Sequence, residues 1–340
     1  MRFCAVEGHG HMEKTNKTKV LFEGKSGTLL VILIVTIAVF YIINPLYLSS
    51  ENIKTIFNTC TASGFLAVGM ACLLISGNID LSAGAIGMFS GIIIAYMLQT
   101  QIPWGLSLII SVLAACCLGL LNAFLVNVLN FVPFISTLGV MTLLTGLGGG
   151  ITNGQPLFIN NKAFWELGSI TILNVIPLLF IILVLIFIIY GVILSSTKFG
   201  RRMYMCGGNK DAARLAGINY KKVSTILFVN NAVMAAFSGI VFTSRMHNAI
   251  WTSITGQEMV GLTAAVLGGV GFKGGTGGML GAFIGLILLN SFTSGLLVAG
   301  LGDYWRVVAN GALLIVALAL DFLKDKSRAK AQKAAAMIDA

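Results

Sequence analysis

Charge is scarce in this chain. Only 10% of its 340 residues are Asp, Glu, Lys or Arg, and just 12 are acids, whereas a soluble surface needs about a quarter of its residues charged. A water-facing globule is excluded. With 57% hydrophobic residues and a mean hydropathy of +0.93, lipid has to be the solvent. A nucleotide-binding loop is also lacking, because Gly24-Lys25-Ser26 has Lys19 where the G-x-x-x-x-G-K-[ST] pattern requires glycine. No polar stretch is long enough for an ATPase domain, so the chain is not expected to hydrolyse ATP. Neither G-x-S-x-G nor H-E-x-x-H occurs, which leaves a membrane enzyme without support. The six cysteines include no C-x-x-C: Cys60, Cys72, Cys116 and Cys117 fall in apolar runs and Cys206 in a polar loop, so neither a disulfide nor zinc is expected. His9 and His11 on a terminal arm are too few ligands for a metal site.

What the chain does have is apolar length. Ten runs predict an all-α integral membrane protein with spans near 28–44, 57–76, 83–98, 105–128, 132–150, 170–194, 224–244, 259–272, 277–299 and 305–323. Several fall short of the usual ~20 residues, which predicts tilted, broken or re-entrant segments. One polytopic domain, 28–323, is expected between an N-terminal arm, 1–27, and a basic tail, 324–340. The arm does not read as a secretory signal, and Met12 opens a second plausible start. If both termini are cytoplasmic, eighteen of the 22 Lys and Arg lie inside and only Lys54, Lys162, Arg245 and Arg306 outside, which fixes the expected orientation. The net charge of +10 then belongs to topology and anionic lipid headgroups, and nucleic acid is not an expected partner.

One long polar island interrupts the grease. Thr197 to Val223 carries seven Lys and Arg against a single acid. Within it Asn209 stands where a helix N-cap would, Asp211 lies in the first turn, Arg214 follows a turn later, and Gly217 can close the helix in the left-handed region. The body of that helix, Ala212, Ala213, Leu215 and Ala216, is small and smooth, suited to another protein's groove. A merely solvated loop is the plainer alternative.

The island, FGRRMYMCGGNKDAARLAGI, resembles the cytoplasmic coupling loop of bacterial ribose/xylose-type ABC sugar transporter permeases, where T-x-FGR-x-x-YA-x-GGN-x-x-AA-x-x-SGI recurs. Three further segments resemble the same family in order: GNIDLSAGAIG from Gly77, FVPFISTLGVMTLLTGL from Phe131, and LTAAVLGGVGFKGGTGGMLGAFIG from Leu262. Departures fall at Asn78, at Ala216 and at Phe272-Lys273. The resemblance implies a permease subunit with no cofactor of its own, ATP and Mg being held by partner ATPase subunits. It further implies an extracytoplasmic sugar-binding protein, a second permease subunit, identical or sibling, and a bacterial inner-membrane location. Gly207, Gly208, Asn209, Ala212, Ala213, Arg214, Gly217 and Ile218 become the expected ATPase-coupling residues. Branched-chain amino-acid permeases share the distant architecture, and an ion-coupled secondary transporter is the rival from another class.

Asp80 stands nearly alone among acids in the spans and is flanked by Asn78 and Ser82. Carboxylates at membrane depth are costly and usually face a cavity. Two readings stand: a gate or solute contact, or a plain N-cap at the start of the next helix. Phe131 and Phe134 could stack on a sugar ring or simply pack in the core, and Thr137 follows on the same helix. Asn78, Asp80, Ser82, Phe131, Phe134 and Thr137 are the expected pathway or gate residues.

Overall fold

In lipid the backbone finds hydrogen-bond partners only in itself, which favours helices. The computed structural model describes residues 25–338 and consists chiefly of helices: α1 (Lys25–Ile43), α2 (Ser50–Ile75), α3 (Ala83–Gln99), α4 (Trp104–Asn127), α5 (Pro133–Thr152), α6 (Lys162–Ser169), α7 (Leu178–Ser196), α8 (Lys198–Gly208), α9 (Lys210–Leu215), α10 (Tyr220–Met246), α11 (Gln257–Leu267), α12 (Met279–Val298) and α13 (Asp303–Ile338). Two small antiparallel pairs join β1 (Leu157–Phe158) to β4 (Asn248–Ala249) and β2 (Thr171–Ile172) to β3 (Ile176–Pro177). Most of the expected N-terminal arm, with His9, His11 and Met12, lies outside the described residues.

The all-α membrane architecture stands, but ten full crossings do not follow. Among the described residues six helices, α2, α4, α5, α7, α10 and α12, are long and apolar enough to cross a membrane. Shorter apolar stretches, 27–43, 83–99, 257–267 and 304–319, occupy the first, third, eighth and tenth expected spans. Three boundaries moved for local reasons. The second span begins at Ser50, because the Ser49 hydroxyl accepts from the amide of Asn52 and starts the helix early. The sixth cannot begin at 170: Leu173 and Asn174 turn with positive φ between β2 and β3, and α7 starts only after Pro177. The eighth stops at Leu267, where a glycine-rich loop with positive φ at Gly269, Gly274, Gly275 and Gly277 replaces helix. The segment read as a tail continues α13 in helical form to Ile338.

Helix α2 is the axis of the bundle, with 89% of its most apolar window buried, against 28% for α5 and 22% for α7. The outer faces of α5 and α7 are therefore left uncovered by this chain. Helix α10 packs along α2, α3 and α4, while α11 and α12 close the other side of α2 and α1 lies on α12. One apolar cluster joins α2, α7, α10, α11 and α12, and a second joins α3, α4, α5 and α10. Glycine sets the closest crossing of α10 and α3, where a side chain at Gly239 would overlap the carbonyl of Gly87.

Candidate functional site

The turn from Ser76 to Ser82 joins α2 to α3 in the interior, and Asn78, Asp80 and Ser82 are fully buried. Asp80 Oδ1 accepts from the Ser82 amide at 2.8 Å and from the Ser82 hydroxyl at 2.5 Å. Its Oδ2 accepts from Asn231 Nδ2 of α10 at 3.0 Å. Asn122 Nδ2 of α4 donates to Ser82 Oγ at 2.7 Å and approaches both carboxylate oxygens at 3.4 Å. Thr137 of α5 accepts from the Leu81 amide at 3.1 Å. Two helices distant in sequence, α4 and α10, thus converge on one carboxylate, and α5 holds the backbone beside it. Its burial is tolerable because hydrogen bonds to a charged group stabilise by about 1.5–3 kcal/mol each, offsetting lost hydration.

This arrangement corrects the plain-cap reading of Asp80. Ser82 occupies the N-cap position of α3 and no side chain caps that helix, so the carboxylate serves as a tertiary hub. Asn122 and Asn231 were missed, although uncharged amides in the middle of apolar helices carry the same signal as a lone acid: polar groups at that depth need partners. Glu258 was also missed as a site neighbour. It is buried, its carboxylate accepts from the Gly256 amide at 3.0 Å, and only the absence of a side chain at Gly84 leaves it room.

Asn78 connects the same turn to the start of α10. Its Oδ1 accepts from the Tyr220 hydroxyl at 3.0 Å, and its Nδ2 reaches Ser76 Oγ at 3.3 Å and Ser224 Oγ at 3.4 Å. Phe131 and Phe134 do not join the buried cluster: they are 53% and 52% exposed on the outer side near the start of α5. Stacking on a solute within a single chain is not what their positions offer.

The polar island holds more helix than one capped turn. Thr197 caps α8 by accepting from the Gly200 amide at 3.0 Å, and Asn209 caps α9 by accepting from the amides of Asp211 and Ala212 at 2.9 and 3.0 Å. Gly217 takes φ +75 just past the end of α9, and Asn219 caps α10. Two expectations need correction. Ala213 is fully buried inside this chain and forms no outward face; the Ile218 amide folds back onto its carbonyl at 3.0 Å and closes the end of α9. Cys206, read as a loop residue, is helical and buried, and burial pushes its thiol up, against the downward pull of Lys210. The outward face belongs to Leu215, 90% exposed, with Ala212, Arg214 and Ala216 exposed beside it. A groove of about 650 Å³, lined by Lys210, Asp211, Arg214, Asn219 and Lys221 among others, opens alongside.

Gly207 and Gly208 differ sharply. Gly208 faces open space, whereas Gly207 is wedged against the Ile75 carbonyl and the Gly275 amide. That amide donates to the same Ile75 carbonyl at 2.9 Å. The island is thereby seated directly on the turn that carries Asn78 and Asp80.

Residues 52–318 match the family described as branched-chain amino acid transport system / permease component. The chain is 33% identical to the ribose import permease protein of Bacillus subtilis (strain 168), over 91% of this chain and 97% of that protein. It is 28% identical to the galactose/methyl galactoside import permease protein of Escherichia coli (strain K12), over 92% and 98%. It is 29% identical to the autoinducer 2 import system permease protein of Photorhabdus luminescens, over 89% and 91%. No solved structure matches the chain. A match spanning this much of the bundle, with relatives covered almost end to end, means that the chain belongs to the branched-chain amino acid transport system / permease component family, among its ribose-type ABC sugar permeases.

Proposed function

We propose that this chain is the transmembrane subunit of an ABC importer. Together with a second permease subunit it forms the translocation pathway for a monosaccharide delivered by an extracytoplasmic binding protein. Separate ATPase subunits, which hold the ATP and Mg, grip α8 and α9 from the cytoplasmic side. The observation that carries the reading is the joint between the island and the buried turn: Gly207 against Ile75, and Tyr220 on Asn78. A solvated loop would have no reason to be keyed by backbone contact into the interior turn that bears Asp80. Closure of the ATPase pair would move the island, and the turn would move with it, which meets the requirement that the two states differ in specific contacts.

In this reading residues 28–323 form the transport domain and both termini are cytoplasmic. The exposed apolar sides of α5 and α7 meet lipid and the second subunit, and Phe131 and Phe134 line the seam where two permease subunits would enclose the solute. The similarity to a ribose permease makes D-ribose the first sugar to test. The test is co-reconstitution with the ATPase and binding protein encoded nearest to this gene, followed by radiolabelled D-ribose uptake. Uptake that needs internal ATP and stops with vanadate is expected, whereas uptake driven by a membrane potential alone overturns the reading in favour of a secondary transporter. A second reading, a branched-chain amino acid as solute, draws on the family description, and leucine uptake in the same vesicles would favour it.

A further inference from the structure

Tyr220 is the first residue of α10 and touches both halves of the joint. Lys210 Nζ, at the start of α9, sits 4.5 Å from the centre of its ring, within the reach of a cation–π contact. Its hydroxyl donates to Asn78 Oδ1 at 3.0 Å. One rigid side chain with two rotatable bonds thus spans from the docking helix to the buried turn.

We propose that Tyr220 is the positioning residue through which the docked island sets the Asp80 turn, a role that rests on the ABC-permease reading above. Helical spacing supports it. At 100° per residue Tyr220, Ser224 and Asn231 fall within about 40° of one another on α10, so they form a single polar stripe. The whole stripe faces one short segment: Tyr220 and Ser224 hold Asn78, and Asn231 holds Asp80. Along the helix axis Tyr220 and Asn231 are about 16 Å apart, while Asn78 and Asp80 are at most about 7 Å apart along the chain. Only a long side chain at position 220 closes that difference. A shift or rotation of α10 at its island end therefore pulls on Asn78, and Asn231 turns the same movement into a displacement at Asp80. Close packing of Gly119 of α4 on the backbone of Phe228 and Val229 holds α10 between the two contacts.

The experiment uses the full complex in proteoliposomes, with radiolabelled D-ribose and D-galactose as probes, and reads sugar transported per ATP hydrolysed. Tyr220→Phe keeps the ring under Lys210 and removes only the hydroxyl. It should lower the ratio at least about threefold, and Asn78→Ala should lower it similarly. The double variant should be no worse than Asn78→Ala alone, because both changes break one contact. An unchanged ratio in Tyr220→Phe, or a double variant that loses the product of the two single effects, overturns the proposal while leaving the permease reading intact. Wild-type vesicles that take up neither sugar on addition of ATP bring down both, a result seen before any variant is made.

Discussion

The backbone of Gly207 lies against the carbonyl oxygen of Ile75 so closely that any side chain at position 207 would overlap it. The end of α8, the end of α2 and the loop holding Gly274 and Gly275 therefore share one joint made of main chain. Main-chain atoms cannot swing aside as a side chain can, so the joint tolerates no added volume.

The first prediction follows from that intolerance. Gly207→Ala should cost about 1–3 kcal/mol by overpacking and impair uptake, whereas Gly208→Ala, with open space around it, should behave as wild type. Thermal unfolding of the purified protein and uptake assays check both; equal behaviour of the two variants would mean that the joint is not tight.

Asp80→Asn is the second. An amide in place of the carboxylate replaces one acceptor oxygen with a donor, which then faces Asn231 Nδ2 or the Ser82 donors. Loss of a satisfied buried group costs about 1–3 kcal/mol, so both melting temperature and uptake should fall. Asn231→Asp in the same background restores a donor–acceptor pair and should recover part of each. Full activity and an unchanged melting temperature of Asp80→Asn alone would mean that the hub does not need a carboxylate.

Three variants in and just after α9 should fail in different ways. Leu215→Glu places a charge on the most exposed apolar residue of α9, leaving the fold intact while weakening ATPase association by about 2 kcal/mol or more. Ala213→Asp instead buries an unpaired charge inside the chain and should reduce folded protein in the membrane. Gly217→Val, at φ +75, should loosen the end of α9 and weaken ATPase association through strain. Co-purification of the ATPase, normalised to folded permease, separates the three outcomes.

Topology supplies the fourth test. Lys162 is 87% exposed by its side chain on the segment that precedes α7, and charge bias puts it outside. In a background stripped of native cysteines, an impermeant maleimide should label a cysteine at 162 in intact cells and leave one at 210 unlabelled until the membrane is opened. Labelling at 210 in intact cells would invert the proposed orientation.

Much of this protein was legible before folding is considered. Apolar length dictated helices, because lipid offers the backbone no other partner. Asn209 and Gly217 announced the ends of α9, since capping and left-handed closure depend on one residue and its immediate neighbours. What the sequence could not determine is which polar groups meet. Asp80 comes to lie against Asn122, 42 positions on, and Asn231, 151 positions on, and Tyr220 finds Asn78 across 142. Ala213 looked like an outward face until the fold turned it inward, because a six-residue helix has too little periodic pattern to declare which side is covered. Local chemistry settles where a helix starts and stops. Only tertiary packing, through the close helix approach that glycine permits, decides which buried amide satisfies a buried carboxylate and which surface residue is left to meet a partner.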